Sequence, residues 1–231
     1  MLALLEGFDL ASMGFGSADA SHLLAEALKI AFADRAAATA DPEHVPVPVA
    51  RLLSRDYAAL RRAGIDPARA RAHAAGVSPA DATPASDDGA HTTHLTVADG
   101  DGWIVSATQT INSLFGARYM VPGTGLIPNN YLYVFDPRPG RANSLAPGKR
   151  VTSSMAPLIV LRDGAPRWAL GLPGGLRIFP SAMQALVNLI DHGMTLQQAV
   201  EAPRLWTQGF QLELEPGFTA ATADTLRARG H

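Results

Sequence analysis

Residues 76–98 read GVSPADATPASDDGAHTTHLTVA, and the change of character inside this stretch decides the fold. Residues 76–91 are rich in Pro, Ser, Asp, Gly and Ala and have no apolar period, which is the composition of a flexible, exposed linker. Exposed flexible segments are where chains are cut. From Thr92 the pattern turns to β. His94-Leu95-Thr96-Val97-Ala98 leads into Asp99-Gly100-Asp101-Gly102, a strong turn signal, and residues 103–110 return as a second strand.

Upstream, residues 1–75 read as helical. Ser17-Ala18-Asp19-Ala20-Ser21 offers N-cap residues, and Leu23, Leu24, Ala27, Leu28, Ala31 and Phe32 recur at helical spacing. A second helix is expected through Leu52, Leu53, Tyr57 and Leu60, ending near Gly64. A short third one is expected after Asp66-Pro67, with Pro at its first position. Downstream, residues 158–161 and 167–170 should pair around Asp163-Gly164. A helix over about 181–191 should turn Ala182, Leu186, Leu189 and Ile190 inward and end at Gly193. Thr195-Leu196-Gln197-Gln198 matches a capping box, and Pro203 stops the helix it opens. Helices, then a cuttable linker, then strands with later helices make an α+β layered domain.

Composition narrows the function classes. Of 231 residues, 47% are hydrophobic and 17% charged, ample for a buried core. A net charge of −2 without a basic patch argues against nucleic acid as a partner. There is no cysteine, so disulfides, a thiol nucleophile and Cys-ligated metal are excluded. His22, His73, His91, His94 and His192 lack metal-ligand spacing, so neither a metal nor another cofactor is expected. Residues 1–5 are apolar but stop at Glu6 with no basic flank, too short for a signal peptide. No stretch approaches the roughly 20 apolar residues of a membrane span. The compartment is not legible.

The candidate chemistry sits in His91-Thr92-Thr93-His94. A cut before Thr92 would place a hydroxyl and a free α-amine on one residue. An α-amine has an unperturbed pKa of about 7.7–8.0 and accepts a proton near neutral pH. Nucleophile and base are then supplied together. Before the cut, Thr92 can attack the preceding carbonyl and shift the acyl group to oxygen. Taken alone, Thr92-Thr93 reads as two β-formers opening a strand, and Pro173-Gly174-Gly175 as a plain turn.

The wider motif set resembles the small-subunit region of the γ-glutamyltranspeptidase family of N-terminal-nucleophile hydrolases. Thr92-Thr93-His94 resembles its nucleophile start. Residues 99–112, through Thr110-Ile111-Asn112, resemble its second strand. Gly125-Leu126-Ile127-Pro128-Asn129-Asn130, the Lys149–Pro157 segment with Ser153-Ser154, and Gly171-Leu172-Pro173-Gly174-Gly175 follow in the family's order. The resemblance implies a four-layer αββα sandwich, of which this chain would hold only part. It implies that Thr92 is the nucleophile, that Thr110 orients it, and that the Gly174 and Gly175 N–H groups form an oxyanion hole. Asn112, Asn130, Tyr131, Ser153 and Ser154 would bind substrate.

The same resemblance implies three regions. Residues 1–75 would be the end of a large subunit, 76–91 a linker cut between His91 and Thr92, and 92–231 the catalytic region. Both subunits would come from one precursor acting on a small-molecule amide. The family's carboxylate-binding Arg would lie upstream of residue 1. One departure bears on substrate: Val134 stands where the family has the Asp that pairs with the γ-glutamyl ammonium, and Asp136 is two positions on. Three readings follow: a γ-glutamyl hydrolase or transferase, a cephalosporin-acylase-like hydrolase of other amides, and an inactive truncated copy.

Overall fold

Side-chain hydroxyls open most of the longer helices, because the first N–H groups of a helix have no partner within it. In the computed structural model, which describes residues 1–76, 91–209 and 211–231, Ser17 caps α3 (Ala18–Ala38) by accepting from Ala20 N. Two short helices precede it, α1 (Leu2–Leu5) and α2 (Leu10–Met13). α4 (Val49–Leu52) and α5 (Arg55–Arg62) follow. Most of the expected linker, residues 77–90, lies outside the described residues. Then come β1 (Thr92–Ala98), β2 (Ile104–Thr110), β3 (Leu158–Arg162) and β4 (Ala165–Leu170). The chain continues through α6 (Ile178–Ile190), α7 (Leu196–Glu201), β5 (Leu205–Trp206), β6 (Glu213–Leu214) and α8 (Ala220–Arg229). Among the described residues no helix is long and apolar enough to cross a membrane.

The chain divides into two compact units. The first holds the described residues of Met1–Pro84, Gly140–Ser144 and Met183–His231. Its core is α3, whose Leu23, Ala27, Leu28 and Ile30 are buried. Each such Leu or Ile contributes roughly 1.5–3 kcal/mol by leaving water. The same helix buries His22, Glu26, Lys29 and Asp34, which therefore need partners. Glu26 accepts from Lys29 Nζ (2.8 Å), His73 Nε2 (2.7 Å) and the Arg71 N–H (3.3 Å). Asp34 accepts from Tyr57 Oη (2.8 Å) and Gly76 N (2.7 Å). Two buried carboxylates thus fasten residues 71–76, a segment with no helix or strand of its own. Burial and the bond to Asp34 push the Tyr57 phenol up to about 12.

Three expectations for this unit are corrected. The second helix is two: the turn at Leu53-Ser54 breaks it, and the Ser54 hydroxyl caps α5 by accepting from Tyr57 N. No helix follows Asp66-Pro67, because the Asp66 carboxylate accepts from Ala68 N and Arg71 Nη2 and closes a local turn instead. Ile190, expected inward, is exposed at the end of α6. Its neighbours hold to pattern: Leu186 and Leu189 are buried, and Gly193 takes positive φ so that Met194 N can reach Asn188 O. The Thr195–Gln198 capping box is present.

The second unit holds the described residues of Ala85–Pro139 and Leu145–Ala182. It is built on two antiparallel hairpins. β1 and β2 pair in unbroken register from Thr92↔Thr110 to Ala98↔Ile104. The turn between them forms because the Asp99 carboxylate accepts from Asp101 N and Trp103 N. β3 and β4 pair around Asp163 and Gly164, both at positive φ, the geometry that matches the twist of a two-residue hairpin. Ser106 Oγ donates to Leu170 O at 3.2 Å and ties the hairpins together. The α+β character expected from the sequence is therefore present, with the strands of the described residues arranged as hairpins.

Candidate active site

The β1–β2 register sets Thr92 directly across from Thr110. Their hydroxyls are 3.0 Å apart. Thr110 Oγ1 also lies 2.8 Å from Asn112 N and 3.2 Å from His91 O. A hydroxyl has one proton and two lone pairs. Asn112 N–H can only donate and the His91 carbonyl can only accept. Thr110 therefore gives its proton to His91 O, and its remaining lone pair accepts the Thr92 proton. One side chain holds both the hydroxyl and the carbonyl of the His91–Thr92 junction.

Beyond β2 the chain turns sharply. Asn112 adopts φ of 75°, a conformation Asn tolerates better than most residues. Its Nδ2 donates to Asn130 Oδ1 (3.0 Å), which also accepts from Ser113 N (3.1 Å). Asn130 Nδ2 donates to Ser113 Oγ (3.0 Å). The Asn130 amide is thus engaged within the loop and holds Asn112 in place. His91, Thr92, Thr110, Asn112 and Asn130 form one connected network.

The other predicted residues lie outside that network. Tyr131 opens a short 3-10 turn, Tyr131–Val134, with its N–H donating to Asn129 Oδ1. Ser153 is exposed and accepts from Met155 N, and Ser154 is half-buried on the same extended segment. Gly174 and Gly175 have φ of 138° and 55°, so side chains there would be strained. Gly174 O accepts from Arg177 N, and no described residue accepts from the N–H of Gly174 or Gly175. Asp136, the acid nearest Val134, binds Arg138 through both oxygens, at 2.9 and 2.6 Å.

Two features escaped sequence reasoning. His94 shares the face of β1 that carries Thr92, and its ring is bonded to Thr108 and Thr96. Strand alternation was the available signal. In the first unit, His22, Glu26 and His231 bring ligand atoms within 4.8 Å of one another. His22 and Glu26 stand one turn apart on α3, but no sequence spacing links His231 to them. Lys29 and His73 already bind the two oxygens of Glu26, so this cluster carries its own cation. A metal ion there would have to displace that ammonium or stand beside it.

A threonine-bearing hairpin beside a glycine loop, in a chain of mixed helices and strands, fits the fold class of N-terminal-nucleophile hydrolases. The family model described as Gamma-glutamyltranspeptidase matches residues 1–231, and the chain belongs to that family. It is 62% identical over 231 residues to the Acylase ACY 1 proenzyme of Pseudomonas sp. (strain SE83), covering 100% of this chain and 40% of that protein. It is 38% identical over 221 residues to the Glutathione hydrolase proenzyme of Pseudomonas sp. (strain A14), covering 90% of this chain and 37% of that protein. The crystal structure of cephalosporin acylase from Bacillus halodurans superposes with a TM-score of 0.84 at 33% identity, over 100% of this chain and 40% of that one. The chain spans about two fifths of the length of these relatives.

Proposed function

We propose that this chain carries the catalytic segment of a self-cleaving amidohydrolase that cuts between His91 and Thr92. The observation that carries the reading is the Thr110 hydroxyl, which joins Thr92 Oγ1 to the carbonyl preceding it. Thr92 Oγ1 attacks the His91 carbonyl carbon while Thr110 donates to that carbonyl's oxygen. The proton leaves Thr92 and the peptide nitrogen gains one, giving an ester on Thr92 and a free α-amine. Water hydrolyses the ester, leaving His91 as a carboxylate. Residues 1–75 then belong to the large subunit, 76–91 to the linker and 92–231 to the catalytic region of one precursor.

In turnover the Thr92 amine takes the hydroxyl proton and the oxygen attacks a substrate amide. The N–H groups of Gly174 and Gly175 stabilise the oxyanion. The acyl group passes from Thr92 to water or to an amine. Asn112, held by Asn130, together with Tyr131, Ser153 and Ser154 receives the small-molecule substrate. In mass spectra of the full-length protein, the wild type should split before Thr92 and Thr92→Ala should stay whole. A Thr92→Ala protein cut at this bond overturns the reading.

A second, narrower reading concerns the acyl group, and Val134 favours it. A valine cannot neutralise an ammonium, and Asp136 is paired with Arg138. The acylase proenzyme relative agrees in direction. An acyl group shaped like γ-glutamyl but without the ammonium is then the better donor. Glutaryl-anilide should be hydrolysed at least tenfold faster, in kcat/KM, than γ-glutamyl-anilide. Preference for γ-glutamyl-anilide would return the substrate to the glutathione type.

A further inference from the structure

We propose that His94 is a positioning residue that sets the Gly171–Gly175 loop against the nucleophile strand. This rests on the roles given above to Thr92, Gly174 and Gly175. Along β1, alternation puts Thr92, His94 and Thr96 on one face, opposite Thr110, Thr108 and Ser106. The His94 ring is fixed at both nitrogens: Nδ1 is 2.8 Å from Thr108 Oγ1 and Nε2 is 3.0 Å from Thr96 Oγ1. It cannot tilt without losing one of these bonds.

Gly171 rests against that ring. A Cβ added at Gly171 would lie 2.2 Å from Cε1, 2.3 Å from Nδ1 and 2.8 Å from Nε2 of His94. Gly171 is not among the glycines at positive φ, so space and not backbone conformation requires glycine here. One residue earlier, Ser106 Oγ donates to Leu170 O. The chain entering the loop is therefore registered to the β1–β2 hairpin at two successive residues. From Gly171 to Gly174 there are only Leu172 and Pro173, and the fixed φ of proline stiffens that short connection. A shift at Gly171 passes to the two amides that would face the oxyanion, and a misplacement of about 1 Å can cost on the order of 10²-fold in rate.

The test uses Gly171→Ala, His94→Ala, their double variant and His94→Gln in the full-length protein, with Thr92→Ala as control. Autocleavage is read by mass, kcat and KM on glutaryl- and γ-glutamyl-anilide, and folding by thermal melting. Gly171→Ala should lower kcat about 10²-fold with KM within threefold. Removing the ring in the double variant should recover at least tenfold of that loss, a non-additivity that general destabilisation does not produce. His94→Gln, which adds no clash, should lower kcat with KM within threefold, and this arm decides if Gly171→Ala does not fold. Wild-type kcat in Gly171→Ala, or strict additivity in the double variant, overturns the role of His94. A wild type that neither cleaves nor turns over overturns the reading of Thr92 instead.

Discussion

The two units treat polar groups in opposite ways. Around α3, Glu26 and Asp34 are buried and their oxygens bind Lys29, His73, Tyr57 and Gly76. On the β1–β2 hairpin, Thr92 and Thr110 are half-exposed, and their bonds converge on one peptide bond. The same hairpin leaves Leu95, Val97 and Val105 exposed. In the first unit polar groups secure the core; in the second they converge on the His91–Thr92 junction.

That contrast can be broken from either side. The largest expected effect on folding is Glu26→Ala, which leaves the Lys29 ammonium buried without its carboxylate. Denaturant unfolding should show a loss of about 3–5 kcal/mol, as for a broken buried pair. Cleavage before Thr92 should continue in whatever fraction stays folded. The mirror case is Thr110→Val, which keeps the strand but removes the hydroxyl that binds Thr92 and His91. The appearance of the Thr92 terminus should slow by about 10²–10³-fold, the scale of losing one oxyanion donor. Its melting temperature should stay within a few degrees of the wild type.

The smallest effect is on pH dependence. Burial, followed by the neighbouring Lys29, His22 and Arg229 side chains, lowers His231 to about 4, while Glu26 acts in the opposite direction. A histidine with a depressed folded pKa is neutral in the fold and takes up a proton on unfolding. Its stabilisation is complete above the unfolded value of about 6.5 and is lost as pH falls from there toward 4. Hydrogen bonds from His73 and Lys29 hold Glu26 low against its desolvation, and its contribution also falls away in acid. Melting temperature should therefore drop between pH 6.5 and 4, and His231→Gln should flatten that part of the curve. An unchanged slope would remove His231 from the account.

What could be read from the sequence was local. The Asp99–Gly102 turn, the β1 strand beginning at Thr92, the Ser17 cap and the Thr195–Gln198 box each depend on residues within a few positions, and each formed. The break at Ser54 was hidden because a capping serine and a helix-interior serine look alike until the backbone turns. The turn at Asp66 was hidden because its carboxylate is used by Arg71. β5 and β6 are too short to leave a period. At the site, the pairing of Thr92 with Thr110 follows from one hairpin register. The contact of His94 with Gly171 joins two hairpins, so no spacing rule reaches it.

The single proton of Thr110 has a directional consequence. In the uncut chain it points at His91, which compels Thr92 to point its own proton at Thr110. In the proposed cleavage the His91 end departs and takes that acceptor with it. The Thr110 proton can then swing round toward Thr92, and the polarity of the pair reverses. Before the cut Thr92 is a donor to its neighbour; afterwards it can be an acceptor, with its own proton released toward the new amine. The orientation of one hydroxyl would then record whether the precursor has been processed.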